Sequence, residues 1–339
     1  MPVATDAPLA PLTTLRLGGP AKRLMPVESE AELVDAVREV DASGEPLLVL
    51  AGGSNLVLPD AGWPGVVVHV QTGGVAGEDG VLEVQAGESW DDLVAATVAD
   101  GLAGFECLSG IPGSVGATPI QNVGAYGQEV AASVRSVRVV DRTTWAVSEL
   151  AAAECGFGYR TSAFKGSDRW VVLAVTFALR RSAASQPLRY AELARALEVE
   201  PGATAALDEV RAGVLALRRG KGMVIDPADP DTISAGSFFM NPILDADAYA
   251  RLDPAPPAFP QPDGRIKTSA AWLIERSGFR KGYARGRVAI SSKHALALVN
   301  CGGATTEELL TLAREIARGV RERFGVELEP EPTIVGGAW

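Results

Sequence analysis

Residues 108–129, LSGIPGSVGATPIQNVGAYGQE, constrain the fold more than any other stretch of the chain. Five glycines and two prolines break this segment too often for one helix. It is also too apolar for a disordered linker. Glycine reaches backbone conformations closed to other residues and lets the main chain approach a neighbour closely. Two readings follow from the residues alone. The segment is either a glycine-rich packing loop or a backbone cradle over an extended ligand.

Regular elements are readable on both sides of it. Residues 29–40 read as a helix, with Ser29 and Glu32 as a capping-box pattern and Leu33, Val34, Val37 and Val40 on one face. A buried strand follows at 46–50, then a turn at 51–55 and strands at 66–70 and 81–85. A second helix covers 89–100, with Ser89 and Asp92 at its start. Strands are expected at 134–140 and 171–179, and Asp141–Arg142 turns the chain into a strand at 144–147. The polar stretch 181–187 reads as a boundary or long loop, with helices at 190–198 and 206–219 after it. Residues 226–232 are rich in Asp and Pro, and the proline-rich stretch 251–264 is expected to be irregular. A helix at 268–277 and short strands near 286–290 and 296–300 precede the best helix, 305–324. Thr305 and Glu308 cap that helix, and Gly325 stands at its C′ position. This order suggests α+β or irregular α/β, not a regular Rossmann alternation. The 339 residues are enough for two or three modest domains.

Charge and cysteine usage narrow the function. The formal net charge is −11, with no basic block of the kind a nucleic-acid binder carries. Cations for an anionic ligand must therefore be placed locally. Arg218, Arg219 and Lys221 are one such place, or else a solvated helix end. Cys107, Cys155 and Cys301 are far apart and odd in number, without metal-like spacing or a disulfide framework, which fits a reducing cytoplasm. No apolar run of 18 residues and no signal-peptide pattern are seen. No membrane association and no metal are expected.

The chemistry-bearing segments are ambiguous one at a time. Gly52–Gly53–Ser54–Asn55 follows an apolar strand and could turn its N–H groups onto an anion or form a plain turn. It lacks a P-loop lysine and the third glycine of a dinucleotide fingerprint. Gly110, Gly113, Gly116, Gly124 and Gly127 form a second glycine loop, interspersed with Gln121, Asn122 and Tyr126. Two such loops suit a two-ended cofactor with a central pyrophosphate. Arg160, between Tyr159 and Thr161, could hold a carboxylate or be structural. Ser237, in SAGSFFMNP, could donate a proton from a shielded position, or cap a helix or turn. Glu331 lies between two prolines, either a stiffly held carboxylate or an exposed acidic turn.

Together these segments resemble the UDP-N-acetylenolpyruvoylglucosamine reductase family. The resemblance rests on AGGSN at 51–55, GIPGSVGATPIQNVGAYG at 110–127, CGFGYRTSAF at 155–164, SAGSFFMNP at 234–242, AWLIERSG at 271–278 and LEPEPTIVG at 328–336. It implies an α+β FAD-binding domain of the vanillyl-alcohol-oxidase type, in two subdomains, with a smaller α+β substrate-binding domain. The implied division is 1–60, with 325–339 returning to it, then 61–205, then 206–324. It implies noncovalent FAD, held by Gly52, Gly53, Ser54, Asn55, Gly110, Ile111, Pro112, Gly113, Gly116, Ala117, Ile120, Gly124, Ala125 and Tyr126. NADPH reduces the flavin and leaves, and the enolpyruvyl nucleotide-sugar then takes the same site. Hydride reaches C3 from flavin N5, and Ser237 matches the proton donor to C2. Arg160 and Glu331 match the residues at the substrate carboxylate, with Glu331 either protonated or polarising. Tyr190 matches a tyrosine on the mobile substrate loop of the long form of the family, Lys221 and Asn241 match nucleotide-sugar contacts, and His294 stands where a glutamine often contacts substrate. Met240 stands where the family usually has lysine, and Phe259 stands near an expected tyrosine. No nucleic acid and no obligate protein partner are implied. A flavin oxidase of the same fold, or a nonenzymatic nucleotide-binding protein, are the competing readings.

Overall fold

The computed structural model of the chain describes residues 3–337 and 339. It is an α+β protein divided into two compact units. Among the described residues, the first comprises 3–7, 21–53 and 63–220; the second comprises 8–20, 54–62, 221–337 and 339.

The first unit is built on two sheets. A four-stranded sheet runs in the order Ala4–Pro8, Pro20–Val27, Trp63–Val70, Leu47–Leu50. Its last two pairings are parallel. Helix α1, Glu30–Ser43, covers it. Leu33, Val37 and Val40 of α1 are fully buried with Val66 and Val68. Ser29 caps the helix by accepting the Glu32 N–H, and Gly44 ends it in the left-handed conformation. The second sheet is antiparallel, in the order Val147–Ala151, Val134–Asp141, Trp170–Ala178, Val81–Gln85, Val75–Glu78. Its core collects Trp90, Phe105 and Phe177, with ring centroids 4.8 and 4.9 Å apart in edge-on pairs. Trp90 opens helix α2, Trp90–Ala99. Helices α3, Ala191–Ala196, and α4, Leu207–Gly220, pack together through Leu193, Val210 and Val214, with Cys107 and Leu188.

The second unit has a four-stranded sheet in the order Ser234–Ser237, Ala297–Asn300, Val288–Ile290, Ala284–Arg285. A three-stranded sheet runs Ile243–Leu244, Ile266–Thr268, Ala258–Pro260. Thr333–Ile334 pairs in parallel with Leu56–Val57. Helices α5, Ala246–Ala250, α6, Ala270–Arg276, and α7, Thr306–Phe324, complete it. The buried stripe of α7 (Leu309, Leu312, Ala313, Ile316, Val320) meets Leu273, Ile274 and Leu298 in the core.

Several sequence expectations need correction. The strand expected at 144–147 begins at Val147. The Asp141 carboxylate accepts the Thr143 N–H and hydroxyl, and Trp145 takes a left-handed φ of 61°, so the turn is longer than a dipeptide. The stretch 251–264 is not wholly irregular. Ala258–Pro260 forms an edge strand, a position where a proline removes no interior ladder bond. Ser89 makes no side-chain cap on α2, and the Trp90 N–H at the head of the helix donates to the Gly113 carbonyl. The strands Ala4–Pro8 and Pro20–Val27 lie outside every expected element. The bounds of the two compact units follow from packing. Helix α4 stays with the first unit through its Cys107 and Leu188 contacts. Residues 54–60 and 325–339 belong to the second unit, where Val57, Val326 and Leu328 join the α7 core.

Candidate functional site

In the first unit the two glycine turns touch. Strand Leu47–Leu50 runs into Gly52, and a Cβ there would lie 2.7 Å from the Gly113 Cα. The atoms it would meet are backbone, so any side chain at Gly52 would force the two turns apart, and close approach favours glycine. Gly53, Gly110 and Gly113 have φ of 55°, 72° and 119°, which favour glycine on conformation as well. Residues 113–116 are tied to the start of α2. The Val115 N–H donates to Glu88 O at 2.9 Å and the Gly116 N–H to Ala86 O at 2.9 Å. A Cβ at Gly116 would lie 2.5 Å from that of Ala86. The result is a fixed main-chain cradle of the kind that holds a phosphate-bearing ligand. These residues fit FAD in this respect: a Cβ would fill the space at which the two turns converge. Ile111, Pro112 and Ala117 are half-buried along the same loop, and Ile120 is exposed. Gly124–Ala125 pairs with Gln128–Glu129 as a short hairpin.

Polar side chains of this loop mostly serve the fold. Asn122 is buried, donating to Glu129 at 2.8 Å and to Gly158 O at 3.0 Å and accepting the Ala131 N–H. Tyr126 meets Tyr190 edge-on, with centroids 5.3 Å apart. Burial pushes the Tyr126 phenol up to about 12, against the nearby Arg218 charge, so it is a neutral donor at ordinary pH. Arg218 is 8% exposed, and burial draws its guanidinium below the ordinary arginine value. Of the Arg218–Arg219–Lys221 group, Arg218 thus belongs to a packed interior and not to a solvated helix end.

Arg160 lies beside the same loop. Its Nη2 donates to Gly124 O at 3.0 Å, and its guanidinium sits 5.5 Å from the Tyr159 ring centre. Lys165 Nζ donates to its carbonyl. Arg160, Tyr126 and Asn122 all hold φ between 46° and 53°. Left-handed backbone at non-glycine residues costs on the order of 1–3 kcal/mol each and clusters where geometry serves function.

The second unit gathers a different set. The Phe238 N–H donates to Leu296 O at 2.7 Å, and the Phe238 carbonyl accepts the Glu331 N–H at 2.8 Å. The Met240 N–H donates to Glu329 O, and Phe239 bridges Pro330. Ser237, paired with Ala297, therefore sits one residue from a backbone clamped on both sides, with Glu331 on the neighbouring segment. Both residues are half-buried. Phe238 and Phe239 are each 1% exposed and anchor the segment in the core. Asn55 joins this group: its Nδ2 donates to the Glu331 carbonyl at 3.3 Å, and its own carbonyl accepts the Thr333 N–H. Asn241 Oδ1 accepts the Ala270 N–H at 3.0 Å at the head of α6. His294 is in the turn before Ala297–Asn300, where its carbonyl accepts the Ala297 N–H. Lys221 begins the second unit's main segment. Among the candidates for a covalent flavin tether, His69 lies inside the strand Trp63–Val70 and His294 in this turn, neither in a glycine loop.

Sequence reasoning missed Asp91 and Arg211. Asp91 Oδ1 accepts the Gly110 N–H at 2.6 Å, and Arg211 of α4 grips both Asp91 oxygens at 2.6 and 3.0 Å. Burial would raise the Asp91 carboxyl, but the Arg211 guanidinium and the Gly110 N–H hold it below its ordinary value. The sequence marks Asp92 at the start of α2, and nothing local points to Asp91 or to its partner on a distant helix.

Residues 227–335 match the family model for UDP-N-acetylenolpyruvoylglucosamine reductase, C-terminal domain, and residues 21–144 match an FAD binding domain. The UDP-N-acetylenolpyruvoylglucosamine reductase of Thermobifida fusca is 57% identical over 348 residues, covering 98% of each chain. That of Streptomyces coelicolor is 56% identical, covering 98% of this chain and 90% of its own. The crystal structure of UDP-N-acetylenolpyruvylglucosamine reductase from Thermus caldophilus matches with a TM-score of 0.68 at 28% identity, covering 98% of both chains.

Proposed function

The chain belongs to the UDP-N-acetylenolpyruvoylglucosamine reductase family, and from that premise we propose that it converts UDP-N-acetylglucosamine enolpyruvate to UDP-N-acetylmuramate with noncovalent FAD and NADPH, in the cytoplasm, for peptidoglycan precursor synthesis. The balance is one substrate, one NADPH and one proton giving one product and one NADP⁺. The observation that carries the reading is the Glu331 N–H donating to the Phe238 carbonyl, which keeps Ser237 and Glu331 on adjacent segments.

The chemistry supplied by bound FAD is hydride relay, from NADPH to C3 of the enolpyruvyl double bond. The chain's own residues handle the cofactor, the charge and the proton. Gly52, Gly53, Ile111 and Gly113 offer main-chain N–H groups where the two turns converge, suited to a pyrophosphate, while the Gly110, Val115 and Gly116 N–H groups are engaged within the fold and hold the turn. Ser54, Asn55, Ile120, Gly124, Ala125 and Tyr126 complete the cofactor contacts. Addition at C3 leaves negative charge spread from C2 into the substrate carboxylate. A fixed guanidinium stabilises such charge in the transition state, and Arg160 takes that role. Glu331 contacts the same carboxylate. Ser237 donates its hydroxyl proton to C2. A serine hydroxyl is a weak acid, so donation requires fixed geometry, and the backbone clamped on both sides of Phe238 supplies it. Tyr190, Lys221, Asn241 and His294 contact the nucleotide-sugar, with Tyr190 on the mobile loop of the long form.

The test is NADPH oxidation by purified, FAD-loaded protein with and without UDP-N-acetylglucosamine enolpyruvate. Substrate-dependent oxidation, and a colourless acid precipitate with the flavin released to the supernatant, are expected. Absence of substrate-dependent oxidation overturns the reductase reading. A yellow precipitate would instead indicate a covalent flavin and favour an oxidase.

A further inference from the structure

We infer that Asp91 and Arg211 are positioning residues for the flavin: Arg211 of α4 holds the Asp91 carboxylate, and Asp91 holds the Gly110 N–H, fixing the glycine turn that receives the cofactor. The inference rests on the reading of the 110–116 turn as a flavin site and extends it to a helix outside the matched FAD binding domain, which ends at 144.

Gly110 opens the turn in the left-handed conformation, φ 72°, immediately before Ile111 and Pro112. Its N–H is directed into a carboxylate at 2.6 Å. Charge-assisted bonds of this length are about twice as strong as neutral ones. The carboxylate is itself oriented by a fork-on-fork pairing, both oxygens engaged by the two terminal nitrogens of Arg211. The Asp91 and Arg211 side chains are 32% and 18% exposed, so the pair is only partly screened by water. Helix α4 reinforces the same region through apolar packing. Val210 and Val214, on either side of Arg211 in the helix, are fully buried with Cys107, which lies shortly before Gly110. The turn is thus backed by a covalent neighbour, an ion pair and a helix, although Gly110 itself carries no side chain to be held.

A preformed turn binds without the cost of ordering it; a turn released from Asp91 must be ordered by the cofactor. Losing Arg211 or the Asp91 charge should therefore weaken FAD binding while leaving the apoprotein folded. FAD is titrated into apoprotein and its fluorescence followed, with far-UV circular dichroism of each apoprotein alongside. Arg211→Met and Asp91→Asn are expected to raise the FAD Kd about 10-fold, with unchanged dichroism. Asp91→Leu, which also removes the acceptor for Gly110, is expected to raise it about 100-fold. Glu209→Gln, on the exposed side of α4, is expected to leave Kd within about twofold, as a surface change should. The milder Asp91→Asn decides the matter if Asp91→Leu fails to fold. Unchanged Kd in Arg211→Met and Asp91→Asn overturns the inference. So does a loss of affinity that appears only with loss of apoprotein dichroism. Gly52→Ala separates this from failure of the underlying reading. If Gly52→Ala weakens FAD binding and the Asp91 and Arg211 variants do not, only the positioning role falls. If none of them affects FAD, the flavin assignment falls with it.

Discussion

The cradle of the first unit and the clamped strands of the second are built on opposite plans. In the proposed reading the first works through main-chain N–H groups, and the side chains around them hold backbone in place. Gly52 meets Gly113 with no room for a Cβ, and Asn122 spends its whole amide inside the fold. In the second, the backbone is the fixture. The Phe238 N–H and carbonyl are both bonded, and the groups proposed to work are the side chains of Ser237 and Glu331 beside it. A ligand held by main chain is sensitive to gaining atoms. A reaction driven by side chains is sensitive to losing them. The two regions should therefore respond to opposite kinds of substitution.

The sharpest contrast is expected at Ser237. Ser237→Ala deletes one oxygen and should slow substrate reduction by about 10²–10⁴-fold, the range for loss of a proton donor. Its FAD content and reduction by NADPH should stay normal, as flavin bleaching and reoxidation in stopped flow will read. Arg160→Ala should lower substrate reduction by about 10²–10³-fold with flavin retained in the absorbance spectrum. Release of flavin instead would move Arg160 to the cofactor's side of the comparison, through its bond to Gly124 O. Gly52→Ala inverts the pattern. The added methyl would sit 2.7 Å from the Gly113 Cα, so the two turns must part. Overpacking of this kind costs about 1–3 kcal/mol, here read as a rise in FAD Kd of about 5- to 150-fold. Turnover of the fraction still carrying FAD should change little. Equal loss of affinity and of per-flavin turnover would break the separation between the two plans.

The smallest expected effect concerns acid. The folded Asp91 carboxyl lies below its ordinary 3.8. A depressed carboxylate stabilises the fold fully above that ordinary value, and the contribution is lost as pH falls through the lower folded value. Thermal melts should show this contribution constant from neutrality to about pH 5 and declining below about pH 4. Asp91→Asn should abolish that part of the decline.

What could be read in advance was local. Helix α7 begins and ends as the residues dictate. Thr305 and Glu308 form a reciprocal capping box, and Gly325 closes the helix with φ 67°. The glycine turns and the SAGSFFMNP segment were legible as motifs because their residue types are unusual at that density. Interactions between distant segments were not. The Trp90 N–H donates to Gly113 O, because the glycine turn folds onto the head of α2. Asn55, expected among the cofactor contacts, donates its amide to the Glu331 carbonyl, an interaction no periodicity encodes. The pairing of Asp91 with Arg211 spans 120 residues and leaves no local pattern. The strand at 147–151 was displaced because a single carboxylate, Asp141, reshaped the turn before it.

The most direct test of the division between cradle and clamp is a sequential-mixing stopped-flow experiment on Ser237→Ala. FAD-loaded protein is first reduced with one equivalent of NADPH and then mixed with UDP-N-acetylglucosamine enolpyruvate. Flavin bleaching at the wild-type rate, followed by reoxidation slowed at least about 100-fold, is the predicted result. Reoxidation at the wild-type rate would contradict the account, because the proton would then come from somewhere other than the clamped strand.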